Sequence, residues 1–232
     1  MASLSITWYG HATFLVTTPG GKRIVFDPWL TGNPKAPAGA KIDKADVICV
    51  THGHSDHTTD VVAVARATGA PVVAIYELAN WFAGKGLKDT IGMSVGGTVD
   101  VKGLRISMTP AIHSSSIDED GTPVYVGVAA GFVVRAEDDR ALYFAGDTSL
   151  FGDMRMIREM YAPEIAFLPI GDHYTMDPVA AAKACEMLGV RQVVPMHYGT
   201  FPVLTGSPDT LKKLVEPMGI DVLVLKPGET AQ

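Results

Sequence analysis

The sequence predicts an α+β protein in one domain, and three observations carry that reading. Strand-like runs and helix-like runs follow one another in two successive rounds. No linker long enough to split the chain falls between them, so residues 1–232 read as a single domain. The 232 residues are 47% hydrophobic and 19% charged, which suits a chain with a real core and not a disordered one.

Leu4 to Phe26 reads as a β-meander. Leu4–Tyr9 and Ala12–Thr17 alternate on either side of a break at Gly10-His11. Pro19-Gly20-Gly21 makes a turn, and Arg23–Phe26 is the third strand. Asp27 to Ala40, rich in Pro, Gly and Ala, reads as a loop of the kind that carries function on a rigid scaffold. Asp46–Val50 is short, apolar and β-branched, a buried strand. A helix over Val61–Ala67, a strand over Pro71–Ile75 and a helix over Glu77–Ala83 give a βαβ rhythm. From Met93 to Val134 the runs are short and β-rich, with a solvated acidic turn at Asp118–Gly121 that has no metal role. Ala141–Gly146 leads into Asp147, and Met154–Met160 is a helix. The strand Ile165–Ile170 runs into the loop Gly171–Met176. Asp177-Pro178 supplies an N-cap and a first-turn proline for a helix that stops at Gly189. Gln192–Met196 is a strand, Asp209–Val215 a helix and Asp221–Leu225 the last strand.

The stretch Thr51-His52-Gly53-His54-Ser55-Asp56-His57 lies between a strand and helix-capping residues, on a strand-to-helix turn. It packs four ligand-type side chains into the positions from His52 to His57. A divalent ion such as zinc takes imidazole nitrogens and carboxylate oxygens. Residues two apart in extended backbone point to one side, so His52 and His54 can grip one ion together. Asp56 and His57, beyond the turn, are free to face a second.

This motif resembles that of the metallo-β-lactamase superfamily of metal-dependent hydrolases. The resemblance asks for a His, an Asp and a His downstream at strand ends, and His113, Asp147 and His197 stand in that order and context. It covers nearly the whole chain and implies a four-layer αββα sandwich, two sheets face to face with helices outside. Trp8-Tyr9-Gly10-His11-Ala12 and Asp27–Pro34 are similar to one branch of uncharacterised hydrolases akin to the ascorbate-6-phosphate lactonases. That branch implies a place for His11 beside the metals; read by itself, His11 is a solvated turn residue. Carried over, His52, His54 and His113 would hold one metal, Asp56, His57 and His197 a second, with Asp147 bridging. Asp147 read by itself is equally a helix cap.

Two cations of this kind, zinc, manganese or nickel, would share a water and lower its pKa towards ~7 for attack on a carbonyl or phosphoryl centre. Asp56 could orient the nucleophile. His173 and Tyr198 are candidates for the leaving-group proton or the substrate oxyanion, Asp172 and His173 equally for supporting the ligands, and Asn33 for substrate contact. The expected substrate is a small, oxygen-rich ester, lactone or phosphoester. A phosphodiesterase, an iron-bearing oxidoreductase and a metal-binding module without turnover stand as alternatives. The net charge of −6, with no basic run, argues against a nucleic-acid partner. No apolar stretch reaches the roughly 20 residues of a membrane span, and no signal peptide is visible. Two cysteines, Cys49 and Cys185, suit a reducing compartment and read as small core residues. The expectation is a cytoplasmic enzyme with a small-molecule substrate, homo-oligomerisation being left open.

Overall fold

The computed structural model describes residues 4–232. The first half supplies β1 (Ser5–Trp8), β2 (Phe14–Thr17), β3 (Arg23–Phe26), β4 (Val47–Cys49), β5 (Val72–Ile75) and β6 (Thr90–Met93), with α1 (Ser55–Thr58), α2 (Val61–Thr68) and α3 (Tyr76–Gly84). The second supplies β7 (Thr98–Val101), β8 (Leu104–Pro110), β9 (Ser116–Glu119), β10 (Thr122–Tyr125), β11 (Ala130–Arg135), β12 (Ala141–Phe144), β13 (Ile165–Pro169), β14 (Gln192–Met196), β15 (Asp221–Val222) and β16 (Thr230–Ala231). Between them come α4 (Met154–Tyr161), α5 (Pro178–Leu188) and α6 (Pro208–Val215).

The strands form two seven-stranded sheets, ordered β16-β1-β2-β3-β4-β5-β6 and β15-β14-β13-β12-β11-β8-β7, and β9 and β10 make a separate hairpin. β1 and β2 show the alternating burial their sequence predicts, whereas β4, β5 and β12 are buried throughout because both their faces are covered. Aromatic rings join the sheets: Phe26 stacks on Phe144 at 4.3 Å between centroids, and Phe14 meets Phe167 edge to face at 5.0 Å. Such pairs contribute roughly 0.5–1.5 kcal/mol each beyond the area they bury. Val61 and Ala65 of α2 and Leu78 and Phe82 of α3 extend this core outward. Ile157 of α4, Cys185 of α5 and Leu211 of α6 build a second one with Tyr143 and Val193 of the other sheet. The result is the helix–sheet–sheet–helix layering, one α+β domain.

The helices α2 to α6 form where expected, within a residue at each end, whereas α1 adds an unexpected helical turn over Ser55–Thr58 inside the histidine motif itself. Asp177 caps α5 by accepting from the Ala180 N–H at 2.7 Å, and Ser207 does the same for Thr210 at α6. Two expectations at the C-terminus need correction. The last strand does not run to Leu225: it pairs only at Asp221 and Val222, after which Leu223 makes one more bond to Val193 and the chain crosses to the first sheet. There Thr230 and Ala231 pair with β1, a two-residue strand with no pattern of its own to announce it. No helix among the described residues is long and apolar enough to cross a membrane.

Candidate metal centre

His11 follows β1, Asp27 follows β3, His52 and His54 follow β4, His113 follows β8, Asp147 follows β12 and His197 follows β14. Within the first sheet β1, β3 and β4 run the same way, and within the second so do β8, β12 and β14. Their C-terminal ends therefore open onto one edge of the sandwich. His11 (φ 55), Asp27 (φ 44) and His197 (φ 56) all take left-handed backbone there. Each costs about 1–2 kcal/mol, a strain that concentrates where side chains must be aimed.

The side chains converge in two groups with a carboxylate between. His52 Nε2 lies 3.0 Å from His54 Nδ1, which lies 3.3 Å from His113 Nε2. Asp56 Oδ2 lies 3.0 Å from His11 Nε2, 3.8 Å from His197 Nε2 and 4.0 Å from His57 Nε2. Asp147 reaches both sets: its Oδ2 is 3.0 Å from His197 Nε2 and 3.7 Å from His113 Nε2, and its Oδ1 is 3.4 Å from His57 Nε2.

The donors suit divalent cations. Imidazole nitrogens and carboxylate oxygens within 4.8 Å of one another are the atoms such ions take. His57 Nε2 and Asp147 Oδ1 are buried without a hydrogen-bond partner, a costly state that coordination relieves. The far ring nitrogens are held from behind. Thr51 donates its single hydroxyl proton to Asp27 Oδ2 at 2.7 Å, so it can only accept from His52 Nδ1 at 3.0 Å. That fixes the His52 tautomer with the Nε2 lone pair facing the site. His57 Nδ1 lies 2.7 Å from Asp27 Oδ2, and His11 Nδ1 lies 2.8 Å from Thr200 Oγ1.

Electrostatics divide the histidines. Burial lowers the pKa of His52, His54 and His113, and takes His11 to about 4. At His57 burial works the same way, but Asp147, Asp56 and Asp27 outweigh it and raise the pKa well above the usual value. At His197 burial is likewise outweighed, chiefly by Asp147, and the pKa rises to about 9. Asp56 and Asp147 are held well below the carboxylate range despite burial, by His57 and His11 in the first case and His197 and His57 in the second. Burial pushes the thiols of Cys49 and Cys185 up, and both sit in the core.

Gly53 is glycine for a tertiary reason. A Cβ there would stand 2.5 Å from Val126 Cγ2 and 3.0 Å from the Ser116 carbonyl, where the chain enters and leaves the β9–β10 hairpin. Its N–H donates to Ser115 Oγ at 3.1 Å, pinning the turn between His52 and His54.

A cleft of about 560 Å³ opens over the centre, lined by Trp29, His54, Ser55, Asp56, His113, Ser114, Asp147, Tyr174, His197 and Phe201. Four residues proposed for catalysis or substrate contact are not among them. Asp172 and His173 are exposed, with positive φ, and the Asp172 carboxylate accepts from the His173 N–H to shape the turn. This turn brings the next residue, Tyr174, to the cleft instead. Asn33 is buried, its amide donating to the Trp29 carbonyl at 3.0 Å. Tyr198 stacks on Trp8 at 5.3 Å, between the two cores. The sequence marked the loop holding Asp27 and Trp29 as one that carries function without giving either residue a role, though Asp27 stands just past a strand as Asp147 does. Tyr174 and Phe201 had no such signal.

Comparison with known proteins identifies the family. Residues 22–198 match the β-lactamase superfamily domain. A UPF0173 metal-dependent hydrolase of Solibacter usitatus is 48% identical over 229 residues, 99% of this chain and 100% of that one. Another, from Methanopyrus kandleri, is 46% identical over 98% of this chain and 99% of that one. The solved structure of Igni18, a metallo hydrolase of Ignicoccus hospitalis, superposes with a TM-score of 0.87 at 39% identity, over 98% of this chain and 97% of that one. The chain belongs to the β-lactamase superfamily, and within it to the UPF0173 metal-dependent hydrolases. It is a metal-dependent hydrolase.

Proposed function

We propose that this chain hydrolyses a small ester or lactone with the help of two divalent cations, zinc, manganese or nickel. The observation that carries the reading is the pair of donor groups, His52, His54 and His113 on one side and His11, Asp56, His57 and His197 on the other, with Asp147 within reach of both. Eight donors exceed the four that a single tetrahedral structural ion uses. Bound there, the cations would supply Lewis acidity, lowering the pKa of water towards ~7 and neutralising charge on the substrate oxygen.

The chain's own residues do the rest. Asp56, ionised and part-exposed to the cleft, accepts a hydrogen bond from the attacking water and sets its direction. Asp27 and Thr51 hold His57 and His52 in the tautomers that face the site. The water oxygen adds to the carbonyl carbon, the bond to the leaving oxygen breaks, and the water's proton ends on that oxygen. The resemblance to lactonase-like proteins favours a ring ester as one such substrate. The occupant is a small molecule, not a nucleic acid or a membrane.

The test is elemental analysis of the purified chain together with a panel of esters, lactones, thioesters and phosphodiesters, each assayed with each metal. Two ions and turnover of oxygen esters are expected. One tightly held ion, unchanged by added metal, would remove the second seat. Iron with visible absorbance and no hydrolysis would replace the reading by a redox one.

A further inference from the structure

We propose that the cleft recognises the uncharged, apolar flank of its substrate on an aromatic wall of Trp29, Phe201 and Tyr174. The substrate is then a neutral ester or lactone bearing an aromatic or alkyl group, not a phosphorylated one. This rests on the hydrolytic reading above for the reacting carbonyl; it concerns the remainder of the molecule.

The wall is built and held. Trp29 and Phe201 stack with centroids 6.0 Å apart and planes at 27°. The His11 ring meets both edge-on, at 5.2 Å and 5.6 Å, so the wall adjoins the donor atoms directly. The Trp29 backbone is fixed at both ends: its N–H donates to Thr13 Oγ1 at 2.9 Å, and its carbonyl accepts from Asn33. The next two residues, Leu30 and Thr31, donate their N–H groups to the Asp60 carboxylate just before α2. The Trp29 indole N–H is spent on the Thr31 carbonyl at 2.9 Å, so the edge of this largely buried ring that reaches the cleft is carbon. A side chain so fixed loses no freedom when a ligand arrives. Tyr174 stands at the mouth, more than half exposed, on the left-handed turn of Asp172 and His173.

Charge points the same way. The carboxylates lining the cleft, Asp56 and Asp147, are both engaged with the histidines. No lysine or arginine lines it among the described residues; Lys35, whose ammonium lies beside Gly199, is not one of the lining set. A phosphate on the substrate's flank would carry about −1.5 to −2 charges. It would meet aromatic carbon there, without the arginine fork that usually receives it. The volume of about 560 Å³ accommodates a carbonyl group and one ring.

The metal-loaded chain is assayed on ethyl acetate, benzyl acetate and benzyl acetate carrying a phosphate on its ring. We expect kcat/KM for the benzyl ester to exceed that for the ethyl ester by about tenfold or more, and the ring phosphate to reverse the gain. Phe201→Ala and, independently, the exposed Tyr174→Ala should shrink the benzyl-to-ethyl ratio while bound metal stays as in the wild type. Equilibrium dialysis adds an arm that needs no turnover: N-benzylacetamide should bind more tightly than N-methylacetamide, and Phe201→Ala should abolish the difference. If no ester is turned over but this binding difference holds, the hydrolytic reading fails and the recognition stands. Equal handling of benzyl and small probes, preference for the phosphorylated ester, or ratios unmoved in both variants overturns the proposal.

Discussion

Replacing Asp27 by Asn tests the scaffold behind the metal seat with a change of one atom. The Asp27 Oδ1 accepts the Thr51 N–H at 2.8 Å, and Oδ2 accepts both the Thr51 hydroxyl and His57 Nδ1 at 2.7 Å. An asparagine must put an NH₂ on one side. Facing Thr51, it confronts another donor, the backbone N–H. Facing His57, it drives the ring to the tautomer with its proton on Nε2, the atom 3.4 Å from Asp147 that should be donating to a cation. Loss of such a carboxylate behind a ligating histidine typically weakens metal affinity by 10–100-fold, which is about 1.4–2.7 kcal/mol. The same NH₂ can no longer accept the Thr51 hydroxyl proton, which is then free for His52 Nδ1, so both seats should weaken, that of His57 through its direct partner and that of His52 through Thr51. Competition against a chromophoric chelator resolves the two affinities. Asp27→Asn with both ions held as in the wild type would refute the reading that Asp27 sets the tautomers of these rings.

Other expectations follow from the same geometry. His113→Ala removes one of three converging nitrogens from a loop and not from the core, so metal content should fall while the melting temperature of the metal-free chain stays near wild type; unchanged metal content would take His113 out of the site. His173→Ala should keep bound metal and lower the rate by less than about tenfold, against the roughly 10²–10⁴ of a lost general acid, because the side chain is exposed and outside the cleft lining; a larger loss would restore it to the chemistry. In the metal-free chain at pH 7 His57 and His197 are doubly protonated, their pKa values raised, while His11, His52, His54 and His113, their values lowered, are neutral imidazoles. Zinc added to weakly buffered chain should therefore release about two protons. The affinity of the seat containing His197 should climb with pH and flatten only above about 9. No release at pH 7 would contradict the carboxylate control of these rings.

The donor set was legible in the sequence because coordination is chemically exacting: few side chains carry suitable atoms, and each stands just past an apolar run that can only be a buried strand. His113 after Leu104–Pro110 and His197 after Gln192–Met196 are of this kind, and the parallel course of these strands does the gathering. The caps of α5 and α6 were legible for a similar reason, a local bond between residues three apart. The cleft wall was not. Any apolar side chain can serve as wall, and which loop residue faces inward depends on backbone that no local pattern marks. Two successive left-handed residues, Asp172 and His173, bring Tyr174 to the cleft where the strand-end position suggested His173. Asn33 looked like a polar group free for substrate, yet its amide is used to hold Trp29. Gly53 combines the two cases. Its place between two histidines reads at once as a metal turn, while the demand for glycine comes from Val126 and Ser116, more than sixty residues away. On the proposed reading the candidate donors report the class of chemistry, and the loops packed around them would select the substrate. In this chain those loops present Trp29, Phe201 and Tyr174, of which Tyr174 makes no ring contact with a candidate donor other than through its exposed neighbour His173, so variation at Tyr174 is the change that should redirect specificity with the least effect on the metal seat.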